Sequence, residues 1–168
     1  MPRIESGEDS FSIGWTTMMP TVPTSAVDIT YTVTADGTVR IDMAYEPTPG
    51  LPPMPEFGMK LAVDADYNRV TWYGLGPEET YIDREEGGKL GVYSALASEM
   101  VQPYLVPQET GNHTGVRWAK VTDRRGRGLL LTAAGGYLGS RSAAAPDGAS
   151  ITTDAEDTAS VPLTTERP

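Results

Sequence analysis

The chain has 168 residues, 39% of them hydrophobic, which suffices for one compact core. Thirteen basic residues against 23 acidic ones give a net charge of -10, which repels a phosphate backbone and argues against a nucleic-acid partner. No cysteine and a single histidine, His113, exclude disulfides, thiolate metal sites and multi-histidine zinc sites. Met1 to Glu5 lacks the apolar run of a secretory signal, and no segment approaches the roughly 20 apolar residues that span a bilayer. The expectation is a soluble, cytoplasmic chain with no membrane partner.

Residues 1–26 mix Ser, Thr, Pro and Gly with Phe11, Trp15, Met18 and Met19 and read as a linker or pairing arm. From Val27 the pattern alternates: Ile29, Tyr31 and Val33, a turn at Ala35-Asp36-Gly37, then Val39, Ile41 and Met43, which is a β-hairpin. The prolines and glycine between Pro47 and Pro55 predict an exposed crossing loop. Phe57 to Val63 reads as a strand, Asp64 to Asn68 as a turn, and Val70 to Tyr73 as the return strand, ended by Gly74 and Gly76-Pro77. Gly91 to Met100 fits either a short helix or a strand followed by a turn. Val116 to Val121 and Leu129 to Ala133 form a second hairpin across the glycine-bearing segment 122–128. Residues 137–168, rich in Ala, Ser, Thr and Pro, read as a disordered tail, and residues 27–136 as the folded domain.

Two segments carry more than generic strand chemistry. Trp72-Tyr73-Gly74-Leu75-Gly76-Pro77-Glu78-Glu79-Thr80-Tyr81-Ile82-Asp83-Arg84, followed by Gly91-Val92-Tyr93, resembles the signature of the β-galactosidase small-chain domain of the large bacterial family 2 glycoside hydrolases. Pro107-Gln108-Glu109-Thr110-Gly111-Asn112-His113-Thr114-Gly115-Val116-Arg117-Trp118 is similar to a second stretch of that family, with Gly50-Leu51-Pro52 and Pro55-Glu56-Phe57-Gly58 matching upstream. The resemblance implies an all-β fold, an antiparallel β-sandwich of the galactose-mutarotase type, incomplete here at its C-terminal side. It implies a non-catalytic domain or subunit of a β-galactosidase that acts on terminal, non-reducing β-D-galactose in lactose-type substrates. Its implied partner is a catalytic large chain or barrel domain, which holds the acid/base and nucleophile. It also implies that magnesium, sodium or calcium belongs to the complete enzyme, and no metal ligand is assigned in this chain. His113 stands where the family usually has Arg.

Retaining glycosidases need two carboxyl groups roughly 5 Å apart, one with a raised pKa. Glu78, Glu79, Asp83, Glu85, Glu86 and Glu109 supply carboxylates, but neither motif resembles the barrel strands that hold the family's catalytic pair, so no catalytic residue is assigned. Trp72, Tyr73, Tyr81, Tyr104 and Trp118 either stack on the apolar face of a galactoside or fill a core, where each aromatic buries about 150–250 Å². Asp83 with Arg84, and Glu109 with Arg117, make either structural ion pairs or ligand contacts. The candidate sugar or interface contacts are Trp72, Tyr73, Glu79, Tyr81, Asp83, Arg84, Glu109, Asn112, Arg117 and Trp118. Two rivals remain open: a free-standing carbohydrate-binding module, and a truncated, inactive fragment. Loss of a domain partner would leave an exposed apolar patch larger than monomers usually show.

Overall fold

The computed structural model describes residues 1–45, 48–51, 57–59, 61–81, 83–103, 105, 111–133, 152–153 and 159–160. Two compact units divide the chain, one within Met1–Pro53 and one within Met54–Thr165. The fold is all-β, as expected. Every strand pair is antiparallel, and two four-stranded sheets carry most of the described residues.

The first unit is a meander of β1 (Arg3–Ser6), β2 (Ser10–Met19), β3 (Ser25–Thr34) and β4 (Val39–Tyr45), in that spatial order. Its register sorts side chains by chemistry, because successive residues of a strand point to opposite faces. Phe11, Val33 and Val39 form one cross-strand row, Ile13, Tyr31 and Ile41 the next, and Trp15, Ile29 and Met43 the third. Trp15 and Tyr31, diagonal neighbours on this face, stack with ring centroids 5.5 Å apart. The other face is polar: Ser12 and Thr32 share a hydrogen bond of 2.8 Å, and Asp28 accepts from Thr16 and Arg3. Of the linker and pairing-arm readings of residues 1–26, the strand pairing of β1 and β2 agrees with the second. Phe11, Ile13 and Trp15 alternate with Ser12, Gly14 and Thr16, the period a half-buried strand requires, and β2 pairs with β3 along its whole length.

The second unit holds β5 (Arg69–Gly76), β6 (Lys89–Leu96), β7 (Trp118–Thr122) and β8 (Gly128–Thr132), in the order β6-β5-β7-β8, with a short pair β9 (Thr152–Thr153) and β10 (Ala159–Ser160). Val70, Trp72, Met100, Val116, Ala119 and Val121 make its buried cluster, flanked by Tyr67, Tyr93 and Leu131. Three expectations change here. Phe57 to Val63 is not a ladder strand in its described part, because no strand pairs with it there. β5 does not stop before Gly74 but continues to Gly76. A Cβ on Gly74 would lie 2.8 Å from Val116 Cα, so this glycine admits a crossing backbone and does not turn the chain. The ambiguous segment 91–100 resolves as strand β6 ending at Leu96, followed by one 3-10 turn at Ala97–Glu99.

The β7–β8 hairpin turns where expected. The Asp123 carboxylate accepts from the Arg125 and Arg127 amides at 2.8 and 2.9 Å and forms an ion pair with the Arg127 guanidinium at 2.8 Å. These bonds, the Arg127 backbone amide foremost, hold the carboxyl below the usual carboxylate range. The segment 137–168 read as a tail lies outside the described residues apart from the short pieces at 152–153 and 159–160, as does most of the loop 47–55.

Candidate functional site

Both sequence motifs meet in the second unit. Beyond β5, past a cis Gly76–Pro77 peptide, Glu79 and Thr80 are buried against the segment Gly111–Gly115, which crosses the end of the sheet. The Thr80 amide donates to the Asn112 carbonyl at 2.8 Å, and the Leu75 amide donates to the Thr114 carbonyl at 3.2 Å. Side chains reinforce this ladder. The Thr114 amide donates to Thr80 Oγ1 at 2.8 Å, and Thr114 Oγ1 donates to the Thr80 carbonyl at 2.8 Å. Glu79 Oε2 accepts from the Gly111 amide at 3.1 Å, while its other oxygen lies 3.4 Å from Arg84 Nε. Gly111 and Gly115, with φ of 76° and 61°, supply the left-handed backbone that lets the segment bend into this position.

Beneath the clamp, Trp72 and His113 are in contact, ring centroids 4.2 Å apart, and the Trp72 indole N–H donates to the Leu75 carbonyl at 2.9 Å. His113 is 2% exposed, and its Nδ1 finds no hydrogen-bond partner among the described residues. Burial pushes its pKa down to about 4, against the smaller upward pull of the Leu75 and Glu78 carbonyls and the Glu79 carboxylate. His113 is thus a neutral core residue.

The nine described candidate residues separate into two groups. Trp72, Glu79 and Asn112 are buried in or beside the clamp, with Tyr81 and Arg84 at its edge, where Arg84 Nε donates to the Tyr81 hydroxyl at 3.3 Å. Asp83 is exposed next to them. Tyr73, Arg117 and Trp118 lie on the opposite face of the sheet, because Tyr73 follows Trp72 in the same strand. There the Arg117 guanidinium covers the Tyr73 ring at 5.1 Å, Tyr73 and Trp118 have ring centroids 6.3 Å apart, and Lys120 lies 5.5 Å from the Trp118 ring. Glu109 and Tyr104 fall outside the described residues, so the pairing of Glu109 with Arg117 has no structural description. Sequence reasoning passed over Thr80 and Thr114, whose signal was one threonine inside each motif, and Lys120, whose signal was its position two residues beyond Trp118 in an alternating strand.

Among the described residues the buried carboxylates are Glu79, which accepts the Gly111 amide from the other motif and pairs with Arg84, and Asp123, which is engaged by the amides and the Arg127 guanidinium of its own loop. No group of three or more His, Asp or Glu residues among the described residues could hold a metal ion, and no step is assigned to one. No helix among them is long and apolar enough to cross a membrane.

Such an arrangement defines a β-sheet module in which the two signature motifs hold one another through Glu79, Thr80, Gly111, Asn112 and Thr114. The family model of the β-galactosidase small chain matches residues 4–160, starting within β1, and the chain belongs to that family. It is 45% identical over 103 residues to a β-galactosidase of Priestia megaterium, covering 61% of this chain and 10% of that protein. It is 40% identical over 127 residues to the β-galactosidase BgaC of Bifidobacterium adolescentis, covering 74% of this chain and 12% of that protein. It is also 34% identical over 110 residues to a β-galactosidase small subunit of Latilactobacillus sakei, covering 66% of this chain and 34% of the subunit. The chain therefore spans about a tenth of the two larger relatives and about a third of the small subunit.

Proposed function

We propose that this chain is a non-catalytic domain or subunit of a β-galactosidase, which associates with a catalytic large chain that hydrolyses terminal, non-reducing β-D-galactose residues of lactose-type substrates. The observation that carries this reading is the clamp: Glu79, the one buried carboxylate of the first motif among the described residues, is bound to Gly111 and Arg84 within the module. Any magnesium, sodium or calcium used by the complete enzyme is held by the catalytic chain in this reading, and the setting is the cytoplasm. Hydrolysis of a chromogenic β-galactoside tests it, with the purified chain alone and mixed with a β-galactosidase that lacks its own small-chain domain. Activity gained only in the mixture supports the reading. Turnover by the chain alone overturns it.

A second reading rests on a different observation. Tyr73 and Trp118 are half-buried neighbours on the outer sheet face, a placement that suits stacking on the apolar face of a galactoside. Titration of the chain with galactose or lactose, followed by tryptophan fluorescence, separates this carbohydrate-binding reading from the accessory one.

A further inference from the structure

The outer face of the second sheet combines exposed apolar side chains with cations. Its register sets Leu90 beside Leu75, and Val92 beside Tyr73, Trp118 and Thr132 in one row across all four strands. A third row contains Ser94, Thr71, Lys120 and Leu130. Leu90, Val92 and Leu130 are 49%, 62% and 60% exposed. In a chain of net charge -10, none of these residues is acidic, and the charges on this face among the described residues are the cations Lys120, Arg69 and the Arg117 that covers Tyr73.

We propose that this face docks the catalytic chain of a β-galactosidase, through a partner surface that is apolar at its centre and carries carboxylates at its rim. The inference rests on the accessory reading above and names the surface that reading requires. Charge selects the occupant. A second copy set face to face would oppose two faces whose described charges are all positive, and like charges across an isologous contact are unfavourable. Size and polarity disfavour a monosaccharide: four strands at about 4.8 Å spacing make a face about 14 Å across. Sugar sites also need converging polar groups. The hydroxyls of Thr71 and Ser94 are already bonded to each other at 2.9 Å. An apolar centre with a charged rim matches the usual anatomy of protein interfaces, in which aromatic residues and arginine are enriched.

The test measures binding of the full chain to the Priestia megaterium β-galactosidase cut before the segment that matches this chain. Val92→Thr with Leu130→Thr keeps strand-compatible side chains while removing apolar area, and Val92→Asp with Leu130→Asp adds negative charge. Circular dichroism checks the fold of each. Both double variants are expected to raise Kd about ten-fold or more. Lys120→Glu is expected to raise Kd and to flatten its salt dependence. Ala44→Asp, on the polar face of the first sheet, leaves Kd unchanged. Unaltered binding by both double variants overturns the docking face while leaving the accessory reading intact. No binding by the unaltered chain defeats the accessory reading itself. Self-association of the chain that Val92→Asp abolishes, or a Trp118-dependent fluorescence response to galactose, also overturns the proposal, in favour of a second copy or a sugar as the occupant.

Discussion

The carboxylate of Glu79 accepts the Gly111 amide at 3.1 Å across 32 residues of chain, and it does so almost fully buried, at 4% exposure. A buried acceptor with a charged partner is costly to remove, because the amide left behind has lost its bond and cannot return to water. Glu79→Ala is therefore expected to lower stability by about 2–3 kcal/mol, read from urea midpoints at neutral pH. Glu79→Gln keeps an acceptor for Gly111 and gives up the attraction to the half-exposed Arg84, so its loss is smaller. Equal losses for the two variants would mean that the charge, and not the hydrogen bond, ties the motifs together.

Thr80 and Thr114 test the same junction without a charge. Each hydroxyl engages the other residue's backbone: Thr80 Oγ1 accepts the Thr114 amide, and Thr114 Oγ1 donates to the Thr80 carbonyl. Thr80→Val and Thr114→Val preserve shape and remove one hydroxyl apiece, each at an expected cost of about 1–3 kcal/mol. Their hydroxyls also lie 3.1 Å apart, so the double variant should lose less than the sum. Strict additivity in a double-mutant cycle would show that the two sides act independently.

Gly74 sits where β5 passes under Val116, and the space for its missing side chain is taken by backbone. Gly74→Ala must push the crossing segment away from the sheet. Overpacking of this kind costs about 1–3 kcal/mol. Gly87, in whose place a Cβ meets nothing within 4 Å, is the matched control, and Gly87→Ala should leave the thermal midpoint nearly unchanged.

Much of this architecture was legible in the sequence, in a way the residues explain. Alternation at Ile29, Tyr31 and Val33, and the turn chemistry of Asp36-Gly37, specify the β3–β4 hairpin locally. The same period was present at Phe11, Ile13 and Trp15, but the surrounding Ser, Thr and Gly left a linker and a pairing arm as alternatives. Gly74 misled in the opposite direction, although Gly76-Pro77 does end β5: glycine punctuates chains more often than it admits a close crossing, and only tertiary contact decides which. The site divided for a simpler reason. Trp72 and Tyr73 are adjacent in sequence, so one motif supplies a core residue and a surface residue at once, and no list of aromatics reveals which is which before the sheet's inner face is known.

His113 provides the pH-dependent prediction. Its pKa falls from the ordinary value of 6.5 to about 4 because burial against Trp72 penalises the imidazolium. The unfolded chain therefore binds a proton near pH 6.5 that the folded chain refuses until near pH 4. Stability from keeping His113 neutral is fully present above pH 6.5 and is lost as pH falls from there toward 4, with a slope approaching about 1.4 kcal/mol per pH unit. His113→Gln removes the titration while keeping a polar side chain of similar reach. Urea midpoints of the two proteins at pH 7.5 and 4.5 isolate the effect from the carboxylates common to both. The native chain should lose more stability than the variant on acidification. An identical loss in both would show that His113 is solvated, and with it that the clamp over Trp72 opens in solution.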